Sequence, residues 1–535
     1  MPWAGLCLVV ALTAVRLAGA GPADPIPGAD EKWRHFQSPH FEVYSRNSES
    51  ESRELLHNLE LVHAIFFETF GFRVSRAVPV TVYFFSREKT FEAYKAESVR
   101  KIEALSAFYH ADPDRGIMTV APLPTYESAQ RLAFGCYTYH LFRLMGERPP
   151  TWYTYGMSGI FSNLNLIADK FELGKADPHQ VSRLQTARLL PVEVMFGADQ
   201  RSNAFLANQN NHVFHDQTWA MMHFLYFGQH KLPLEKVSAF VDFTLSQSPG
   251  FDAAATRRMF EESLGMTYGQ MDRTLEGYFR TGRYGYRKLD KPAIPPAKSY
   301  GMRKVPLEEI RLRLAELALR VNREPAGKLA LLHVAPGAPE EARVQEALGT
   351  EALRDGDWDQ AADRWWRALD AGSTNPAVMH ELAQYEDRQR FRRFDPTYRL
   401  PEESAARLRD LLQRSIRLAP VQASAYEVLA WVEAAAQKPS IANVNLVQKQ
   451  FAELKDKPRT LLALAVIRLR LGDKAGAAEL LAQVARMNPS DWVRYGLEHT
   501  LAKVEERPVN RDNLPAARPG SRDPVLQRGI AKPRL

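Results

Sequence analysis

Cysteine is nearly absent from this 535-residue chain, which has only Cys7 and Cys136. The first lies in a short apolar run, Ala4 to Val15, followed by Ala18-Gly19-Ala20 and then Pro22 and Pro25. An apolar core with a small-x-small end reads as a secretory signal peptide over residues 1–20, although its start carries no lysine or arginine. An uncleaved membrane anchor is the alternative, but the run is short for spanning a bilayer. Removal of Cys7 with the signal leaves Cys136 alone, so no internal disulfide is available. Long apolar runs are missing beyond the signal, and no further membrane span is expected. Blocks of one charge sign are missing too. The 70 basic and 63 acidic residues give a formal charge of +7 on a mixed surface, without the concentrated basic footprint that nucleic acid requires. Neither a glycine-rich phosphate loop nor a G-x-S-x-G elbow occurs.

What is present is an ordinary globular composition, 45% hydrophobic and 25% charged, on a chain long enough for several domains. After a Pro/Gly/Asp leader over residues 21–31, "HFEVYS" (His40 to Ser45) and "VPVTVYFF" (Val78 to Phe85) alternate as strands. A helix is expected between them, from about Ser48 to a stop at Gly71. "SAFYHADPDRGIMTVAP" (Ser106 to Pro122) predicts two short strands around the Asp112-Pro113-Asp114-Arg115-Gly116 turn. Helical patterning follows from about Tyr126 to Met145, again from Thr151, and on to about Arg287. The proline- and lysine-rich stretch from Lys288 to Lys304 is the best linker candidate.

Beyond it the composition turns to Ala, Leu, Arg and Glu at helical period. Gly356, Ala361 and Ala368 recur as Gly472, Ala477 and Val484, with Pro489 closing the second copy and Leu348-Gly349 matched by Leu464-Ala465. A third, weaker copy ends at Arg417 to Ala430. Small residues at these offsets let two helices of a hairpin approach, and the glycine ends the first helix. This is tetratricopeptide-type spacing, expected over residues 305–505; a generic alanine-rich bundle is the alternative. The tail over 506–535 has five prolines and no apolar period, and is expected to be disordered.

The stretch "GCYTYHL" (Gly135 to Leu141) followed by "PTWYTYGMSGIFS" raises the question of function. Tyr137, Thr138, His140 and Leu141 in the first segment, and Trp152, Gly156, Phe161 and Ser162 in the second, resemble the gluzincin pattern HEYTHHL, then W-x-x-EG-x-AEYFS. "HFEVYS", "VPVTVYFFS", "GIMTVAP" and "FHDQTWAMMHFL" (Phe214 to Leu225) are similar to the segments around such sites, so the likeness runs from about Lys32 to Arg287. It implies an α+β peptidase-like domain over 32–287, a small mixed sheet with a helical lobe, joined to an all-α repeat domain. That pairing resembles exported bacterial proteins with a periplasmic or envelope location. In such enzymes two histidines on one helix face and a glutamate from the next helix hold zinc, and a second glutamate acts as base.

Carried over residue by residue, the resemblance puts Gly135 and Tyr139 at the histidine positions, Cys136 at the base, and Tyr155 and Gly159 at the acidic positions. No ligand or base survives, so no metal, no cofactor and no zinc chemistry are expected. A rebuilt site is a second reading: Cys136 and His140 are i and i+4 on α-helical spacing, with His215, and beside it His212 and His223, as further candidates. The aromatics Tyr137, Tyr139, Trp152, Tyr153 and Tyr155 suggest a third use, a cleft that packs a protein or peptide, with "GIMTVAP" as an edge strand open to β-augmentation. Expected overall is a non-catalytic pseudopeptidase that binds protein or peptide; a hydrolase with a rebuilt site, or a purely structural module whose repeats alone bind, are the alternatives.

Overall fold

The computed structural model describes residues 32–510 apart from internal stretches, of which 96–104, 199–212, 247–252, 323–340 and 391–397 are the longest. The expected signal, the leader, His212 and all but the first five residues of the tail lie outside the described residues. The chain forms a small mixed sheet with helices, followed by a mostly helical second half.

Strands β1 (Trp33–Gln37), β2 (Phe41–Ser45), β3 (Val80–Phe84), β4 (Ala107–Ala111) and β5 (Gly116–Val120) build the sheet. Helices α1 (Glu49–Phe70) and α2 (Glu88–Glu92) fall between them. The α1 start is a capping box, with Ser48 and Glu51 satisfying each other's backbone amides, and Gly71 ends it at φ 67°. Pairing is parallel for β2–β3 and β3–β5 and antiparallel for β1–β2 and β4–β5. Alternation sorts the side chains onto two buried faces. Phe36, Val43, Val82 and Met118 pack toward α1 and the helical lobe, while Trp33, Tyr44, Tyr83 and Ile117 form a second core on the opposite face.

The helical lobe begins with α3 (Tyr126–Met145), α4 (Thr151–Ser162), strands β6 (Asn165–Ile167) and β7 (Lys170–Leu173), α5 (Pro178–Thr186) and α6 (Val192–Gly197). It continues with α7 (Val213–Phe227), α8 (Leu234–Ser246), α9 (Ala253–Leu264) and α10 (Tyr268–Thr281).

Two corrections concern strands. "GIMTVAP" is no edge: β5 is hydrogen-bonded to β3 on one side and β4 on the other, so it has no free backbone for an added peptide. The Lys288–Lys304 stretch, expected to be a linker, supplies strands to both sheets. β8 (Arg287–Asp290) pairs with β7, and β9 (Gly301–Val305) pairs antiparallel with β1 as the sheet's other edge.

The second half then starts beneath the sheet. In α11 (Leu307–Asn322), Ile310, Leu314 and Leu317 pack against Tyr44, Tyr83 and Ile117. Charge fastens α11 and α12 (Glu341–Asp355) to the sheet and to its Asp112–Gly116 turn. Arg320 reaches Asp112 at 3.0 Å and Asp114 at 2.7 Å, Arg115 meets Glu346 at 2.7 Å, and Arg343 meets Glu42 at 2.8 Å. Arg354 closes the knot on Asp112.

The remaining helices are α13 (Trp358–Asp370), α14 (Pro376–Arg390), α15 (Glu402–Leu418), α16 (Ala423–Ala435), α17 (Ile441–Lys449), α18 (Lys457–Arg470), α19 (Lys474–Arg486) and α20 (Asp491–Val504). The α12/α13 and α18/α19 hairpins share one turn chemistry. Gly356 and Gly472 adopt φ 81° and 86°, and the aspartate after each caps the following helix through the amide three residues on. Ala361, Ala368, Ala477 and Val484 are fully buried. Ala423 at the head of α16 donates its amide to Ser75 O of the first half at 2.9 Å, a second junction between the halves. At the start of the tail, Arg507 pairs with Glu498 of α20 at 2.6 Å. Among the described residues no helix is long and apolar enough to cross a membrane.

Candidate functional site

The five positions where the resemblance places zinc chemistry come together between α3, α4 and α7. They are contact points between helices. Gly135 is buried, and a Cβ added there would overlap Ser162 Oγ and stand 3.0 Å from Ser158 Oγ. Ser158 Oγ in turn donates to Gly135 O at 3.0 Å. Gly159 lies against Trp219 of α7, where an added Cβ would sit 2.9 Å from the Trp219 Cβ. Tyr139 and Tyr155 meet edge to face at 5.7 Å, and Tyr155 stands edge to face on His215 at 4.3 Å. Burial raises both phenols above their ordinary range. The residues present do not fit a zinc ion: one histidine position has no side chain and no room for one, and two neutral phenols replace a histidine and a carboxylate. Among the described residues, no group of three or more His, Cys, Asp or Glu side chains is placed to hold a metal ion.

The rebuilt-site residues are each taken up by burial or by other partners. Burial pushes the Cys136 thiol up to about 12, far from the thiolate a nucleophile needs. His140 is 1% exposed; its Nδ1 meets the Tyr109 hydroxyl at 3.0 Å, its ring also bonds the Val78 backbone, and it stacks on Tyr137 at 5.5 Å. Burial, with Arg143 and His63 nearby, holds its imidazole neutral, well below its ordinary range. His215, half-buried, belongs to the Tyr155 side. His223 is a core residue. Its Nδ1 meets Tyr278 Oη at 2.7 Å and its Nε2 meets Gly174 O at 2.6 Å, and burial lowers it to about 4.

The peptide-cleft aromatics divide. Tyr137, Trp152 and Tyr153 are 0% exposed and present no face to a ligand. Tyr139 and Tyr155 keep partial exposure. Tyr137 is instead one link in a chain that sequence spacing did not reveal. Glu60 Oε2 meets His40 Nδ1 at 2.7 Å, His40 stacks on His63 at 3.7 Å, and His63 Nδ1 meets Tyr137 Oη at 2.9 Å. Its members come from β2's leading edge, α1 and α3, so no local period marks them.

Three cavities among the described residues lie elsewhere. Two of about 350 and 430 Å³ adjoin one another along α5, α7 and α10, and a third of about 130 Å³ sits beside Phe70 and Tyr226. None of the five aromatics lines any of the three.

No family model matches this chain, and no curated protein matches it either.

Proposed function

We propose that the chain is a non-catalytic, exported pseudopeptidase: a gluzincin-like domain without zinc chemistry, continuous with tetratricopeptide-like repeats, that acts by binding protein or peptide. The observation that carries this reading is the packing at Gly135. Its contact with Ser158 and Ser162 fills the space a first histidine ligand would need. Support comes also from the raised Cys136 thiol and from the hydrogen bonds that occupy the His140 ring, which together oppose a hydrolase rebuilt on that pair. The recurring Gly-Asp hairpin turns support the repeat assignment, and the apolar segment ahead of residue 21 supports export.

Metal content and thiol reactivity test the reading together. After exposure to zinc and dialysis, the purified protein is expected to hold less than roughly a tenth of an equivalent. Cys136 in the native protein is expected to react with a disulfide reagent at least roughly a hundredfold more slowly than in the denatured chain. Stoichiometric zinc that disappears in Cys136→Ala, or a fast native thiol accompanied by peptide hydrolysis, overturns the proposal in favour of the rebuilt enzyme.

A further inference from the structure

We infer that the groove along α5, α7 and α10 binds an acidic peptide segment with apolar neighbours, an inference that rests on the peptide-binding reading above and names its site and ligand class. The groove consists of the two adjoining cavities, which share Leu184, Ala187 and Arg188. Each falls in the range of roughly 300–1,000 Å³ typical of ligand sites.

Its charges do not cancel. Four arginines line the groove: Arg183, Arg188, Arg273 and Arg280. Two are already engaged. Arg183 grips buried Asp216 through two bonds of 2.7 and 2.9 Å, and Arg280 pairs with Glu276 one turn away. The remaining acid, Asp272, accepts the Val192 amide at 2.8 Å. Arg188 and Arg273 have no partner among the described residues, and both are exposed. Two guanidiniums on separate elements, facing one groove, call for two carboxylates on one ligand.

The wall is pre-formed. Gln217 is 1% exposed, and its side-chain amide clamps the loop after α5: Leu190 N donates to Oε1 at 2.8 Å and Nε2 donates to Leu190 O at 2.5 Å. This fixes the main chain two residues from Arg188 before any ligand arrives, which lowers the ordering cost of binding. Leu189, Leu190 and Phe279 supply apolar lining between the charges. A fatty acid carries one carboxylate and leaves one arginine unmatched. An extended peptide with alternating acidic and apolar side chains meets both arginines and the wall, the acidic-motif mode of recognition by arginine pairs.

The test uses the full mature chain and a fluorescein-labelled, end-blocked hexapeptide of alternating Glu and Leu, with a Lys/Leu hexapeptide and dodecanoate as the other arms. Saturable binding of the Glu/Leu peptide alone is expected, weakened at least about tenfold in the Arg188→Ala/Arg273→Ala variant. Both side chains are exposed and have no partner among the described residues, so the melting temperature of that variant should not move. The Arg188→Glu/Arg273→Glu variant should reverse the preference toward Lys/Leu, a gain that misfolding cannot mimic. Undiminished binding by the alanine variant removes the groove while leaving a peptide-binding protein. Absence of saturable Glu/Leu binding, or saturation by dodecanoate instead, overturns the ligand class. Cleavage of the hexapeptide would instead defeat the non-catalytic reading itself.

Discussion

Around Gly135 the chain holds helices together by removing side chains; around Asp114 it does so by burying charged ones. Gly135 and Gly159 let α3, α4 and α7 touch, and the positions where the resemblance would put ligands and base hold glycine, thiol or phenol. At the other junction, Asp112, Asp114, Arg115, Arg320 and Glu346 are all less than a tenth exposed, yet each has a charged partner. Strongly shifted carboxyls often mark an active site. Here they mark the seam between the two halves. Burial alone would raise Asp114, but Arg320 and Arg115 beside it bring it down to about 2. A saturated knot of this kind is architecture. The groove at Arg188 and Arg273 differs because its charges are left over.

The largest effect is expected at the seam. Arg320→Ala takes one guanidinium from each of two buried aspartates, leaving Asp112 to Arg354 and Asp114 to Arg115, and should cost about 3–5 kcal/mol in denaturant unfolding, since an under-compensated buried charge is the expensive case. A smaller loss than at exposed pairs such as Arg367–Asp363 would show that the two halves are not joined through this knot.

Next is Gly135→Ala. Its new methyl group meets Ser162 with no space to enter, so about 1–3 kcal/mol of stability should be lost in the same assay. A neutral result would mean that α3 and α4 can separate cheaply, and the site would then have room for a ligand after all.

How much of this contrast could be read in the sequence depends on range. The central strands, the hairpin around Asp112–Gly116 and helices α1, α3 and α4 follow from local period and turn residues, as do Gly356 and Gly472. The coarse order, a small mixed sheet and then mostly helix, was legible for the same reason. Strands β1, β8 and β9 were not, because β9 forms only by pairing with a strand some 270 residues away in the register Trp33 to Val305. The seam was read as a plain turn, since Arg320, Arg343 and Glu346 lie more than 200 residues beyond their partners Asp114, Glu42 and Arg115. Around Gly135 the expectation of no zinc ligands rested on residue identity alone. The burial of Tyr137, Trp152 and Tyr153 was not legible, because a tyrosine at a helix position looks the same whether it faces a cleft or a core. Gln217 was visible within its motif, but its grip on Leu190 was not.

The smallest expected effect separates the two regions by pH. Asp112 and Asp114 have folded values below their unfolded ones, so their stabilisation is complete above about pH 4 and is lost below it, for Asp114 down to about 2. The histidines around α3 act earlier. Burial, then the neighbouring His40, lowers His63 to about 3, with Glu60 pulling weakly the other way, and His140 is lowered in the same sense. In the unfolded chain a histidine takes its proton near pH 6.5, while these stay neutral in the fold, so stability is complete above that value and declines as pH falls below it. His63→Leu removes one such group. Between pH 7 and 5.5 the variant should lose about 1 kcal/mol less stability than the parent chain, measured by urea unfolding at each pH. Parallel pH profiles would mean that His63 is protonated inside the fold. The stacked His40–His63 pair would then be a charged group at the edge of the α3 core, and the region around Gly135 would no longer be the discharged half of the comparison.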